Sequence, residues 1–340
     1  MTPVRSPKPR LCVGLVYDAR DDYLADGFSE EQVAEFDLHE TINLLAAAIR
    51  RSGFKVECIG NARALNRKLV AGARWDLVFN IAEGVAGRSR EAQVPCLLEL
   101  YGIPYTFSDP LTCAVTLDKS VAKRIVRDAG NATAQFAIVR TLADVRDVRL
   151  ACPLFAKPIA EGTGKGITQA SRIDSPAALA RTCRALIRRY RQPVLVEQFL
   201  PGREFTVGIV GTAAAARVIG TLEIEIVARG NRAIYSYETK EKCESQCHYS
   251  TPPAGRLRRA VEALALACYR TLECRDGGRV DIRLDQKGTP HFLEVNPLPG
   301  IHPTHSDLPM IAARAGMHYH ELIGAIISSA LRRASSPRIA

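Results

Sequence analysis

Several things are scarce in this chain, and each scarcity removes a class of protein. Of the 340 residues only 6% are aromatic, with a single Trp, which leaves little for stacking nucleic-acid bases. Arginines are spread through most of the expected helices instead of gathering in a basic block, and no nucleic-acid-binding motif stands in the sequence. No run approaches the roughly 18 consecutive apolar residues of a membrane-spanning helix. The short apolar run 11–17 runs into Asp18, Arg20, Asp21 and Asp22 without a small-residue cleavage site, so it reads as a buried strand rather than an export signal. The expected compartment is therefore the reducing cytoplasm, and the ten scattered cysteines are expected to be mostly small buried side chains. Cys243, Cys247 and His248 form a C-x3-C-H cluster, but zinc needs about four ligands and no second half lies nearby. There is no internal repeat, no low-complexity block and no convincing nucleophile–base triad.

What is present is an ordinary globular balance: 47% hydrophobic and 24% charged residues, with 46 basic against 36 acidic side chains for a net charge of +10. At about 150 residues per domain this length gives two to three domains. The positive excess fits either a polyanion or a small anionic substrate in a basic cleft.

The first third alternates strands and helices. Strands are expected at 11–17, 54–59, 76–81 and 103–107. A long helix is expected to open at Ser29, with Gln32 completing a capping box, and to stop at Gly53; its apolar positions are Val33, Phe36, Ile42, Leu45 and Ile49. Asn61 caps a helix through Val70, and another helix covers 91–101. This β-α-β-α-β order points to a parallel sheet with helices on both faces, and it draws attention to the strand ends at Asp18 and 82–90. Further on, helices are expected at 118–129, 176–190, 255–272, 308–315 and 318–331. Strands are expected at 136–139, 153–157, 194–199, 205–210, 217–227, 278–285 and 291–296.

Two features carry chemistry. The loop Lys157-Pro158-Ile159-Ala160-Glu161-Gly162-Thr163-Gly164-Lys165-Gly166-Ile167 places three glycines in five positions after a strand, so that backbone N–H groups can approach a phosphate. It is neither a P-loop nor a dinucleotide fingerprint. In the second feature, period-2 geometry puts Arg279, Asp281 and Arg283 on one strand face, and Glu294 and Asn296 on one face of the next strand. If these faces coincide, Asp281, Glu294 and Asn296 offer hard oxygen ligands of the kind Mg²⁺ prefers.

Together these features resemble the ATP-grasp superfamily and, within it, the D-alanine–D-alanine ligases. The resemblance runs through Thr116-Leu117-Asp118-Lys119, Phe155-Ala156-Lys157-Pro158, the glycine loop, Val196-Glu197-Gln198-Phe199-Leu200, Gly202-Arg203-Glu204-Phe205-Thr206-Val207, 278–281, 293–300 and His305-Ser306-Asp307-Leu308-Pro309-Met310. It implies an α/β (α+β) ATP-grasp fold in three parts. These are a Rossmann-like N-terminal substrate domain (1–117), a central subdomain with a glycine-rich lid (118–199) and a C-terminal subdomain with the metal and oxyanion site (200–333).

It further implies that Lys119 and Lys157 contact ATP phosphates beneath a loop formed by Glu161, Gly162, Thr163, Gly164 and Gly166. Glu197, Phe199 and Leu200 belong to an adenine-binding hinge, Glu204 takes the ribose hydroxyls, and Lys240 reaches the terminal phosphate. Asp281, Glu294 and Asn296 hold two Mg²⁺ ions, with Mn²⁺ as a substitute. Arg279 and the Gly300 N–H stabilise an oxyanion, and Ser306 helps to bind the second substrate. The implied reaction activates one amino acid as an acyl phosphate for attack by the amine of a second. The implied partners are amino-acid substrates and a second copy of the chain in a homodimer, with no nucleic acid and no membrane.

Departures cluster on the first-substrate side. D-alanine ligases carry G-G-x-S-x-E after the first strand, where this chain has Tyr17-Asp18-Ala19-Arg20-Asp21-Asp22-Tyr23. Their His-Gly is Glu83-Gly84 here, their Gly-Glu-Asp-Gly is Gly87-Arg88-Ser89-Arg90, and their Ser-Ser in the glycine loop is Thr163-Gly164. Their tyrosine after the loop lysine is Glu241. Glu83 is the expected partner of a substrate ammonium, which keeps D-alanine open. Arg88 or Arg90 recruiting a larger or more acidic substrate is the alternative, as are solvated loop arginines.

Overall fold

The structure, a computed structural model, describes residues 10–226 and 247–335. Buried apolar strand β1 (Cys12–Val16) is followed by α1 (Arg20–Ala25) and α2 (His39–Arg51), then by β2 (Lys55–Gly60), α3 (Ala62–Val70) and β3 (Leu77–Asn80). The three strands form a parallel sheet in the order β2-β1-β3. The Asn61 side chain caps α3 by accepting the Ala64 N–H at 3.1 Å. Residues 103–107 add only a bridge between Val78 and Tyr105 rather than a fourth strand. Pro104 offers no N–H to a ladder, and Phe107 turns the chain at φ 69°.

The expected long helix from Ser29 is corrected. Ser29 and Gln32 do bond as a capping box would, the Ser29 N–H donating to Gln32 Oε1 at 2.8 Å, but they close a turn. Arg20 N–H donates to the Asp37 carbonyl at 2.9 Å and Asp37 N–H to the Asp18 carbonyl at 3.3 Å. This pairing holds Asp37 extended against the end of β1, so α2 starts only at His39.

Next come α4 (Gln93–Leu100), α5 (Pro110–Leu117) and α6 (Lys119–Asp128), the last capped by Asp118. Strands β4 (Phe136–Val139), β5 (Leu154–Pro158) and β6 (Arg172–Ile173), helix α7 (Pro176–Tyr190) and strand β7 (Val194–Gln198) build an antiparallel sheet in the order β4-β7-β5-β6. α7 packs Leu179, Cys183 and Leu186 onto that sheet. A third sheet, ordered β10-β9-β8-β11-β12, comprises β8 (Glu204–Val210), β9 (Arg217–Ile226), β10 (Cys247–Ser250), β11 (Gly277–Leu284) and β12 (Pro290–Asn296). Helix α8 (Arg256–Thr271) covers one face of it. On the other, α9 (Asp307–Arg314) sits so close that a Cβ at Gly220 would lie 2.8 Å from Ile311. Helix α10 (Tyr319–Ser335) then returns to the first sheet, where Leu322, Ile323 and Ile326 share a buried cluster with Val13, Leu45 and Ile49. This shared core places the C-terminal ends of the first sheet's strands over the β11/β12 hairpin.

Candidate active site

The floor of the site is the β11/β12 ladder. Its register sets Asp281 opposite Glu294 and Arg279 opposite Asn296, so the two polar faces coincide as their alternation predicts. Arg279 Nη1 lies 2.5 Å from Asp281 Oδ2 and 3.4 Å from Asp307 Oδ2. The second Asp281 oxygen, Oδ1, is buried without a hydrogen-bond partner among the described residues, and so is Asn296 Nδ2. Burial raises the Asp281 pKa to about 6; Arg279 opposes the shift, while Glu294 and Asp307 add to it. Among the described residues no three His, Cys, Asp or Glu side chains form a metal cage. Two carboxylates and an amide, one carboxylate oxygen lacking a donor, nevertheless fit Mg²⁺, which keeps most of its shell as water and phosphate.

Two lysines converge on Glu294 from above. Lys119, in the first turn of α6, reaches the Glu161 carbonyl at 2.6 Å and Glu294 at 3.7 Å. Lys157, near the end of β5, lies 3.4 Å from Glu197 and 3.5 Å from Glu294. Burial disfavours the Lys157 charge, but Glu197 and Glu294 outweigh it and raise the pKa. Sequence reasoning missed a third lysine, Lys123. Fully buried, it bonds Glu197 at 2.9 Å, Thr133 Oγ1 at 3.0 Å and the Phe292 carbonyl at 3.2 Å. Its one signal is its position beside Ala122 and Val126 on the buried face of an amphipathic helix. The Glu197 carboxylate thus faces two lysines, which hold its pKa low against the opposing effect of burial.

The cleft between the second and third sheets is lined by Lys157, Thr163, Phe199, Leu200, Glu204 and Asp281. The Phe199 ring is flanked by the guanidinium groups of Arg172 and Arg283, 4.8 and 5.5 Å from its centroid. Arg283 also pairs with Glu204 at 3.0 Å. The glycine loop lies over this cleft and is tied to the N-terminal part of the chain. Glu35 accepts the Gly162 N–H at 2.5 Å, and Lys165 bonds Glu161 at 2.6 Å. A Cβ at Gly162 would lie 2.4 Å from Glu35 Oε1. At Gly166, φ is +77° and a Cβ would meet Pro158 at 2.5 Å.

Beside the cleft opens a cavity of about 740 Å³ that brings together Glu83, Lys119, Arg279, Asn296, Gly300 and Ser306. Gly300 is packed against Ser306, whose hydroxyl accepts the His302 N–H at 3.0 Å. Asp37 and Glu91 share its wall, and sequence reasoning passed over both because they were absorbed into expected helices. Burial and the charge of Glu91 push the Glu83 pKa well up. Burial also raises Glu91 and Asp37, each to about 7.

Neither loop arginine faces this cavity; both line a neighbouring one. Arg90 is buried, bonded to Glu35 at 2.8 Å and to the Ala160 carbonyl at 2.9 Å. Exposed Arg88 pairs with Asp118 at 2.6 Å. Both arginines thus stand apart from Glu83, and the solvated-loop reading is corrected for Arg90, which is buried. Lys240, Glu241 and Cys243 lie outside the described residues. So does most of the expected lid 235–250, whose last four residues form β10 against β9. His248 is exposed, 4.0 Å from Glu225.

A parallel-sheet domain followed by two antiparallel sheets, with a lysine- and carboxylate-lined cleft between them, defines an ATP-grasp enzyme. The profile of the D-ala D-ala ligase C-terminus matches residues 125–328. A D-alanine–D-alanine ligase of Bordetella petrii is 37% identical over 274 residues, spanning 79% of this chain and 80% of the relative. An uncharacterized protein of Sinorhizobium fredii is 34% identical over 259 residues, 76% of this chain and 75% of its own. The crystal structure of a D-alanine–D-alanine ligase from Bacillus anthracis complexed with ATP shares the fold at a TM-score of 0.75 and 24% identity, covering 96% of this chain and 99% of that one. The chain belongs to the D-alanine–D-alanine ligase family and is an ATP-dependent carboxylate–amine ligase. Among the described residues no helix is long and apolar enough to cross a membrane.

Proposed function

We propose that the cleft under the glycine loop takes ATP, that the adjoining cavity takes two amino acids, and that their shared wall, Lys119 and Glu294, is where phosphoryl transfer occurs. The observation carrying this reading is the convergence of Lys119 and Lys157 on Glu294 beside the unpartnered Asp281 oxygen. A carboxylate is a poor electrophile, and its activation as an acyl phosphate crowds negative charge that these lysines neutralise. Mg²⁺ held by Asp281, Glu294 and Asn296, in our reading two ions replaceable by Mn²⁺, supplies further neutralisation on the phosphates. Phe199 and Leu200 form the apolar wall for the adenine, and Glu204 faces the ribose.

Arg279 stands beside Gly300 where the second amine attacks the acyl carbon, and its guanidinium and the Gly300 N–H stabilise the tetrahedral oxygen. Removing one such donor costs on the order of 10²–10³ in kcat. Ser306, at the start of α9, holds the second carboxylate. The glycine loop keeps water from the acyl phosphate. Lys240 completes the phosphate contacts. We read 1–117, 118–199 and 200–333 as the working parts, in a cytoplasmic homodimer.

Joining two D-alanines, the peptidoglycan reaction, is the reading that family membership favours. The three carboxylates Asp37, Glu83 and Glu91 in the cavity favour a second, a ligase for a different first amino acid. Phosphate release from ATP, assayed against D- and L-amino acids singly and in pairs with product masses recorded, separates them. D-alanine alone giving its dipeptide supports the first; release only with another pair supports the second. Glu294→Ala is expected to abolish turnover while circular dichroism stays unchanged. Surviving activity would overturn the metal assignment.

A further inference from the structure

The cavity beside the nucleotide cleft is unbalanced in charge. Its cations are all engaged by the protein itself. Arg20 bonds Glu30 at 2.5 Å, Lys119 bonds the Glu161 carbonyl at 2.6 Å and faces Glu294, and Arg279 is held between Asp281 and Asp307. Four of the cavity's acids are answered: Glu35 by Arg90 and Lys165, Glu161 by Lys165, Glu294 by Lys119 and Lys157, and Asp307 by Arg279. Three are not. Among the described residues, Asp37, Glu83 and Glu91 line the cavity without a side-chain hydrogen bond or ion pair, and Glu91 is only 9% exposed.

A carboxylate as buried as Glu91, beside the half-buried Asp37 and Glu83, is costly unless a cation pairs with it. No cation among the described residues pairs with them: Arg90 is bonded to Glu35 and acts on Glu83 and Glu91 only through its field, as Lys119 does on Glu91. The three come from separate places, the entry to α2, the end of the β3 loop and the turn before α4, and they meet only through the fold.

We propose that the first amino acid bound by this enzyme carries a second ammonium group on its side chain, and that Asp37, Glu83 and Glu91 together hold its two positive charges. This rests on the reading of the cavity as the amino-acid site. The α-carboxylate of the substrate points to Lys119 and Glu294, where activation takes place, and its ammonium groups point to the opposite wall. An α-ammonium alone sets one charge against three carboxylates; a diamino acid sets two. A volume of about 740 Å³ leaves room for a longer side chain, since pockets of about 300–1,000 Å³ take drug-sized ligands.

The test uses the full chain with ATP and Mg²⁺. Phosphate release and product mass are compared for the D- and L-forms of lysine, ornithine, norleucine and alanine, each alone and with the others as acceptor. Norleucine matches lysine in length without its side-chain charge. The expected result is a kcat/KM for lysine or ornithine at least about tenfold above that of norleucine, a difference of about 1.4 kcal/mol. Glu91→Gln and, separately, Glu83→Gln are expected to shrink that ratio severalfold. Should either variant fold poorly, the wild-type ratio still decides. Equal kcat/KM for norleucine or alanine overturns the inference and leaves the ligase reading standing. No amino-acid-dependent turnover at all overturns both.

Discussion

Lys123 shows how a single residue organises the site without touching its solvent side. A fully buried ammonium is tolerated only where oxygen atoms surround it, and here a carboxylate, a hydroxyl and a carbonyl do so within 3.2 Å. Burial lowers the Lys123 pKa, Glu197 opposes this, and nearby Lys157 adds to the lowering. Through Glu197 it fixes Lys157, and through the Phe292 carbonyl it ties α6 to β12. Lys123→Ala is expected to destabilise the protein by about 3–5 kcal/mol, because Glu197 loses a buried partner. Chemical denaturation checks this. The pair exchange Lys123→Met with Glu197→Gln is expected to recover part of the loss, since no uncompensated charge then remains. Equal stability of wild type and Lys123→Ala would show that the pair contributes nothing.

At the scale of elements, what is legible in the sequence follows from strict periodicity or clear punctuation. Alternation of polar and apolar residues pairs β11 and β12 from Arg279–Asn296 to Asp281–Glu294, but not beyond, where a bulge shifts the register and leaves Leu293 lining the cleft. The glycine loop announces itself by composition, and α7 by Ser175-Pro176 at its start. The entry to α2 is not legible, because the apolar spacing from Val33 to Ile49 fits a helix while a backbone pairing with the end of β1 overrides it. No local signal encodes that pairing, and Asp37 is hidden with it. The glycine loop's tether is equally invisible, since Glu35 lies 127 residues from Gly162.

That tether gives the element its testable behaviour. Glu35 is opposed by burial, but Arg90, Lys165 and the Gly162 N–H hold its pKa below the usual carboxylate value. A depressed acid contributes stability that is complete above its unfolded pKa and is lost as pH falls through the folded one. The loop is therefore expected to stay protected across neutral and mildly acidic pH and to loosen only below the ordinary carboxylate range. Glu35→Gln is expected to loosen it at neutral pH, with faster proteolytic cleavage in 160–166 and a higher KM for ATP. Unchanged cleavage would show that the loop is held by other contacts.

At the scale of the whole molecule, the +10 charge conceals a cavity of the opposite character, which no composition could reveal because its walls are separated along the chain. Asp37 and Glu91 are raised by burial to about 7, and Glu83 is pushed well up. An acid with a raised folded pKa keeps its proton where the unfolded chain has already lost it. Between the ordinary carboxylate range and about pH 7 the folded state thus binds more protons, and stability falls as pH rises. Glu35, Glu197 and Asp118 are shifted the other way. They titrate below this window; within it His302, lowered by burial, opposes the slope, while Asp18 and Asp281, raised by burial, add to it. The melting temperature of the free enzyme is accordingly expected to decline between about pH 5 and pH 7.5. The double variant Glu83→Gln with Glu91→Gln is expected to melt higher at the upper end and to lose part of the decline, Asp37 and Asp281 being left to ionise. A wild-type curve as flat as the variant's would mean that these side chains reach solvent and titrate as ordinary carboxylates.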